Sequence, residues 1–122
     1  LSIVGILGMK AGLELLLEKG IPVISEQLLR LKAKLMDGLE PLGFRFIGPR
    51  EGPNASGIST AYRMEGSGPN VTKVFEPLTV QGISPSLRHD RQGQAYLRFS
   101  PHFYNNEAEM ERTIEAIAQT PA

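Results

Sequence analysis

"GISPSLRHDRQGQAYLRFSPHFYNNEAEMERTIEAI", residues 82–117, decides the fold, because it passes from strand to strand to helix in one short run. Ile83 to Arg88 and Gln94 to Phe99 read as strands, and "HDRQGQ" at 89–94 joins them as a hairpin connection with Gly93 available for positive φ. In the second strand Ala95, Leu97 and Phe99 share one face, while Tyr96, Arg98 and Ser100 share the other. The apolar set is assigned to the core. Pro101 to Asn105 form a turn, and Asn106 then caps a helix, with Glu109 returning the bond as in a capping box. Met110, Ile114 and Ile117 form the apolar stripe of that helix.

Upstream, Ile24, Leu28, Leu31, Leu35, Leu39 and Leu42 recur at spacings of three and four, the clearest periodicity in the chain. They predict a long amphipathic helix that starts at Ser25 or earlier, ends at Gly43 near Pro41, and shows Glu26, Arg30, Lys32 and Lys34 on its outer face. Phe44 to Ile47 and Gly57 to Tyr62 read as two further strands. "GPREGPNASG" at 48–57 and "EGSGPN" at 65–70 read as loops. Val71, Val74, Phe75 and Leu78 follow at helical spacing behind Asn70 as N-cap, with Pro77 bending or shortening that helix. At the other end, residues 3–19 carry Ile3, Ile6, Leu7, Leu13, Leu16 and Leu17, with Gly20 as the stop. Apolar side chains fall elsewhere around that helix too, so it wants cover on several sides. The order α, α, β, β, α, β, β, α predicts an α+β two-layer sandwich. A small, mostly antiparallel sheet has helices packed on one face and is preceded by the long amphipathic helix.

With 122 residues the chain matches one domain, short for an enzyme that carries its own cofactor pocket. Thirteen Lys plus Arg balance thirteen Asp plus Glu, so no net field concentrates nucleic acid or an anionic membrane, and neither is an expected partner. The absence of cysteine excludes disulfides, thiolate metal sites and a cysteine nucleophile within these residues, and argues against a disulfide-stapled secreted module. The apolar stretch 1–17 is broken by Lys10, Glu14 and three glycines and lacks a basic n-region, so it reads as a core helix rather than a signal peptide or membrane span. A cytoplasmic location is expected. The opening at Leu1, inside an apolar run, predicts a piece excised from a longer protein.

Arg98 is the first residue to weigh for chemistry. At the end of a strand its planar guanidinium can grip a carboxylate through two parallel hydrogen bonds, although most surface arginines make only weak ion pairs. Arg88 closes the preceding strand, and the hairpin brings both arginines to one side of the sheet. Asp90 is near enough in sequence to neutralise Arg88, which favours a structural role for it. His102 has no nucleophile or carboxylate in a catalytic spacing, and with His89 as the only other histidine no metal site is predicted. There is no Ser-His-Asp spacing and no Gly-rich phosphate loop. Lys10, Lys19, Lys32, Lys34 and Lys73 lie on predicted helices, none in the apolar strand-to-loop setting that activates an amine. No catalytic residue is assigned.

"YLRFSPHFYNNEAEMERTIEAI", preceded by "GISPSLRHDRQGQ", resembles the C-terminal segment of the class V aminotransferase family of fold-type I, pyridoxal 5′-phosphate (PLP) dependent enzymes. That family includes cysteine desulfurases, selenocysteine lyases and isopenicillin-N-epimerase-like proteins. The opening "GILGMKAGLELLLEKGIPVISEQLLRLKAKLMDGLEPLG" looks like the family's passage from the large domain into the small one. The resemblance implies that residues 1–20 end the large domain and that 21–122 are the C-terminal small domain. It also implies that Arg98 binds the substrate α-carboxylate and that Arg88 matches a second substrate-side arginine.

By the same resemblance, the residues that anchor PLP belong to a large domain upstream of Leu1. This chain alone is then expected to bind no cofactor and to be inert. Its partners would be that large domain and an amino-acid substrate, within a homodimeric parent that transaminates, racemises or performs C–S or β-elimination. One departure stands out: relatives that are cysteine desulfurases carry a nucleophilic cysteine between the two strands joined here by "HDRQGQ", and this chain has none. The alternative is a non-enzymatic α+β regulatory module that binds an amino acid or mediates oligomerisation.

Overall fold

Gly20 separates two helices. In the computed structural model, which describes residues 2–65 and 68–120, α1 spans Ile3–Lys19 and α2 spans Ile21–Leu39, with Gly20 between them at φ 87°. A residue without Cβ adopts that conformation at little cost, so the chain turns there and restarts with Pro22 in the first turn of α2, ahead of Ser25. A 3-10 turn at Glu40–Leu42 and Gly43 at φ 85° then deliver Phe44, fully buried, into the core.

The remaining elements are β1 (Arg45–Ile47), β2 (Ser59–Glu65), β3 (Gly68–Asn70), α3 (Thr72–Val80), β4 (Ser86–His89), β5 (Ala95–Phe99) and α4 (Glu107–Ala118). The sheet runs β1-β2-β5-β4, antiparallel at every pairing, with β3 attached to β2. Ala95, Leu97 and Phe99 are buried in alternation with half-buried Tyr96 and Arg98, as the period of a strand requires. Against that apolar face pack Leu31, Leu35 and Leu39 of α2, Val74 and Leu78 of α3, and Ile117 of α4. Each fully buried leucine contributes about 1.5–3 kcal/mol relative to exposure. The result is the two-layer α+β sandwich, with α2, α3 and α4 packed on one face of the sheet.

Local physics moved several boundaries. Ile83 does not enter β4: its N–H closes the end of α3 on the Leu78 carbonyl at 2.9 Å and its side chain packs on the core, so the strand starts at Ser86. β2 runs on to Glu65 because β3, within a segment expected to be a loop, pairs with its far end. Gly66 and Ser67 of that segment lie outside the described residues. Asn70 is not the N-cap of α3; Val71 holds that position, and Asn70 Oδ1 instead accepts from the Thr72 N–H at 3.0 Å. Pro77 sits inside α3, which stops at Val80.

Two sequence expectations fail outright. The apolar helix α1 is no core helix here, since none of its residues is buried, and Val4 and Leu17 are 82% and 72% exposed. Lys32, expected on the outer face of α2, is 4% exposed. No helix among the described residues is long and apolar enough to cross a membrane.

Candidate functional site

Register orders the open face of the sheet into two cross-strand rows. Arg45 opposes Tyr62 and Arg88 opposes Tyr96, while the rings of Tyr62 and Tyr96 meet edge-on with centroids 5.8 Å apart. One row therefore reads Arg45, Tyr62, Tyr96, Arg88. The next reads Ile47, Thr60, Arg98, Ser86. Arg98 and Arg88 are diagonal neighbours on adjacent strands, a relationship with a typical spacing of about 7–8 Å. The hairpin thus brings the two sequence-predicted arginines to one side.

Arg98 stands on a central strand, half-buried, with its Nε fully shielded and without a hydrogen-bond partner. A buried donor left unmatched costs free energy and calls for an explanation. Neither Arg98 nor Arg88 joins any ion pair formed among the described residues.

Asp90 and Arg88 form no direct ion pair among the described residues. Asp90 Oδ1 accepts from the backbone N–H groups of Gln92 at 2.8 Å and Gln94 at 2.9 Å, and Oδ2 accepts from the Tyr96 hydroxyl at 3.1 Å. The Gln94 N–H above all, with Gln92 and Tyr96, holds the Asp90 carboxyl below the usual carboxylate range. Asp90 builds the hairpin turn, where Gly93 takes φ 80°, and forms no ion pair with the exposed Arg88 among the described residues.

The turn after β5 is fixed from two sides. Gln27 of α2 donates from Nε2 to the carbonyls of Phe103 at 2.7 Å and Asn105 at 3.2 Å, and the His102 N–H donates to Asn105 Oδ1 at 2.7 Å. The His102 ring stacks on Tyr104 with centroids 4.5 Å apart. Asn106 and Glu109 form the expected capping box, and the Asn106 N–H, then the Asn105 amide, hold the Glu109 carboxyl below its ordinary range. These contacts lock the exit of the strand that carries Arg98.

Lys32, the buried lysine, spends its ammonium on the carbonyls of Pro49 at 2.8 Å and Ser56 at 3.0 Å, tying the 48–57 loop to α2. Burial lowers its pKa, and its nitrogen faces a loop rather than the sheet. No group of three His, Cys, Asp or Glu suited to a metal occurs among the described residues. His89 pairs with Ala95 at the start of β5, and His102 follows the end of that strand. A cavity of about 220 Å³ between the 82–85 segment, β5 and α4 is lined by Phe99, Pro101 and Met110 on the helix side and includes neither arginine.

Thr60, Tyr62 and Ser86, the neighbours of Arg98, escaped the sequence reading. Alternation in "STAY" places Thr60 and Tyr62 on one face, but which residues stand beside Arg98 is a matter of register.

Fold and face together define a two-layer α+β domain whose second sheet face carries arginines and tyrosines without an acid in either row. The chain is similar in structure to a protein described as NifS-like, with a TM-score of 0.68 and 22% identity over 83% of this chain and 28% of that one. It is also similar to the apo cysteine desulfurase of Thermococcus onnurineus NA1, with a TM-score of 0.76 and 22% identity over 90% of this chain and 29% of that one. At this identity the likeness shows the fold, and the chain spans less than a third of either protein. No protein-family profile and no curated protein matches it.

Proposed function

We propose that this chain is the C-terminal small domain of a PLP-dependent enzyme of the class V aminotransferase type, with Arg98 gripping the α-carboxylate of an amino-acid substrate. Residues 1–20 would close the large domain, 21–122 would form the small one, and the complete protein would be a homodimer. One observation carries the reading: a half-buried arginine on a central strand whose Nε is shielded and unmatched and which joins no ion pair among the described residues. A substrate carboxylate supplies the missing acceptor, and a bidentate grip fixes its orientation. The uncovered α1, apolar on several sides, supports a missing partner surface.

Bond breaking at the substrate would be the work of PLP held by the large domain. This chain's own part is to bind and orient, so the 122 residues alone are inert. The test uses the full-length protein: it should take up PLP with a visible absorbance band, and Arg98→Lys should weaken amino-acid binding by about 1–3 kcal/mol while leaving that band in place. Unchanged affinity on Arg98→Lys substitution would sink the assignment and favour a regulatory module.

A further inference from the structure

We infer that Gln27 of α2 is a positioning residue for substrate that acts through Arg98: by pinning the turn after β5 it holds the guanidinium where an α-carboxylate docks. The assignment rests on Arg98 gripping that carboxylate as proposed above. Arg98 stands at the end of its ladder. Ser86 opposite Arg98 is the last pair between β4 and β5, and beyond it Phe99 pairs only with Ser59, the first residue of β2. Strand ends open most readily, so the aim of a side chain there depends on what holds the chain just past the last pair.

The turn closes on itself where the Asn105 N–H donates to the His102 carbonyl at 2.9 Å, and the carbonyls of Phe103 and Asn105 then accept from the half-buried Gln27. A primary amide carries two N–H donors, and these two acceptors take them at 2.7 Å and 3.2 Å. A carboxylate of the same shape would set oxygen against oxygen, so the site is built for an amide rather than an acid. Gln27 lies within the first two turns of α2, the part of that helix nearest Gly20. On the proposed reading the large domain ends at Gly20, so Gln27 ties the turn beyond Arg98 to the start of the helix that leaves that domain.

The experiment titrates the full-length, PLP-loaded protein with L-alanine and with L-alaninamide, which lacks the carboxylate, and reads both dissociation constants from the cofactor's absorbance change. The parent should favour L-alanine by at least about tenfold, the scale of one charge-assisted hydrogen bond. Gln27→Met keeps the side-chain bulk and removes both donors. It should cut that preference at least about threefold while changing L-alaninamide binding by less than about twofold, and Gln27→Ala should do the same. Gln27→Lys should keep most of the preference, because an ammonium can serve two carbonyls as Lys32 does for Pro49 and Ser56. In an Arg98→Lys background Gln27→Met should have no further effect on the preference, since residues that act through one another are not additive. If Gln27→Met and Gln27→Ala leave the preference intact, or weaken both ligands alike, while Arg98→Lys lowers it, the inference is overturned and the proposed function stands. If the parent shows no preference, or Arg98→Lys leaves it unchanged, both fall.

Discussion

Gly38 of α2 faces Ile114 of α4 so closely that a Cβ built on it would lie 2.7 Å from Ile114 Cγ1 and 3.0 Å from Cγ2. The two helices therefore meet where one has no side chain, which lets α4 bring Ile117 and Met110 down onto the sheet. Gly38→Ala gains about 1 kcal/mol of helix propensity but overpacks the contact, so a net loss of about 1–2 kcal/mol is expected in urea unfolding. In an Ile114→Ala background the same change should become neutral or stabilising. Equal cost in both backgrounds would mean that Ile114 is not what the added methyl meets.

Lys32 holds the 48–57 loop through two carbonyls, those of Pro49 and Ser56. Lys32→Met keeps the apolar stem and removes the donors. It should lower stability by about 1–3 kcal/mol and speed amide exchange in the loop, while the sheet remains protected. A variant as stable as the parent would show that water replaces both bonds.

The capping box of α4 predicts both a magnitude and a pH dependence. Asn106→Ala should cost about 0.5–2 kcal/mol. The Glu109 carboxyl lies below its ordinary range in the fold, so its stabilisation is present above the unfolded value of about 4.3 and is lost as pH falls through the folded pKa. The difference in melting temperature between the parent and Glu109→Gln should therefore shrink on acidification. A gap that stays constant down to acid pH would refute the linkage.

No residue of α1 is buried, so removing residues 2–19 should leave the unfolding free energy of the remaining chain within about 0.5 kcal/mol, as for other surface changes. The same truncation should reduce concentration-dependent association, because it deletes Leu7, Leu13, Leu15 and Leu17 from the surface. A large loss of stability would instead reveal packing of α1 on the domain.

Elements with a strong local cause were legible from sequence. The leucine repeat of α2, the Asn106–Glu109 box and the Gly93 turn each depend on residues a few positions apart, and the fold contains all three. β3 was missed because Gly68–Asn70 has no apolar alternation and exists only through pairing with β2. Lys32 was misplaced because a helix face says nothing about a loop that will fold over it and offer two carbonyls. Asp90 was assigned to Arg88 by proximity in sequence, but backbone N–H groups in the closed turn and the Tyr96 hydroxyl claim it instead.

The sequence by itself determined the α+β class, the face of β5 on which Arg98 lies and the capping box of α4, since these follow from the periods of helix and strand and from local hydrogen bonding. Only the tertiary structure decided that Thr60 and Ser86 stand opposite Arg98 and that its Nε is shielded without a partner among the described residues. Register is set by pairing between strands remote in the chain, and β2 and β5 are separated by β3, α3 and β4. No local pattern along the sequence encodes which side chains then become neighbours.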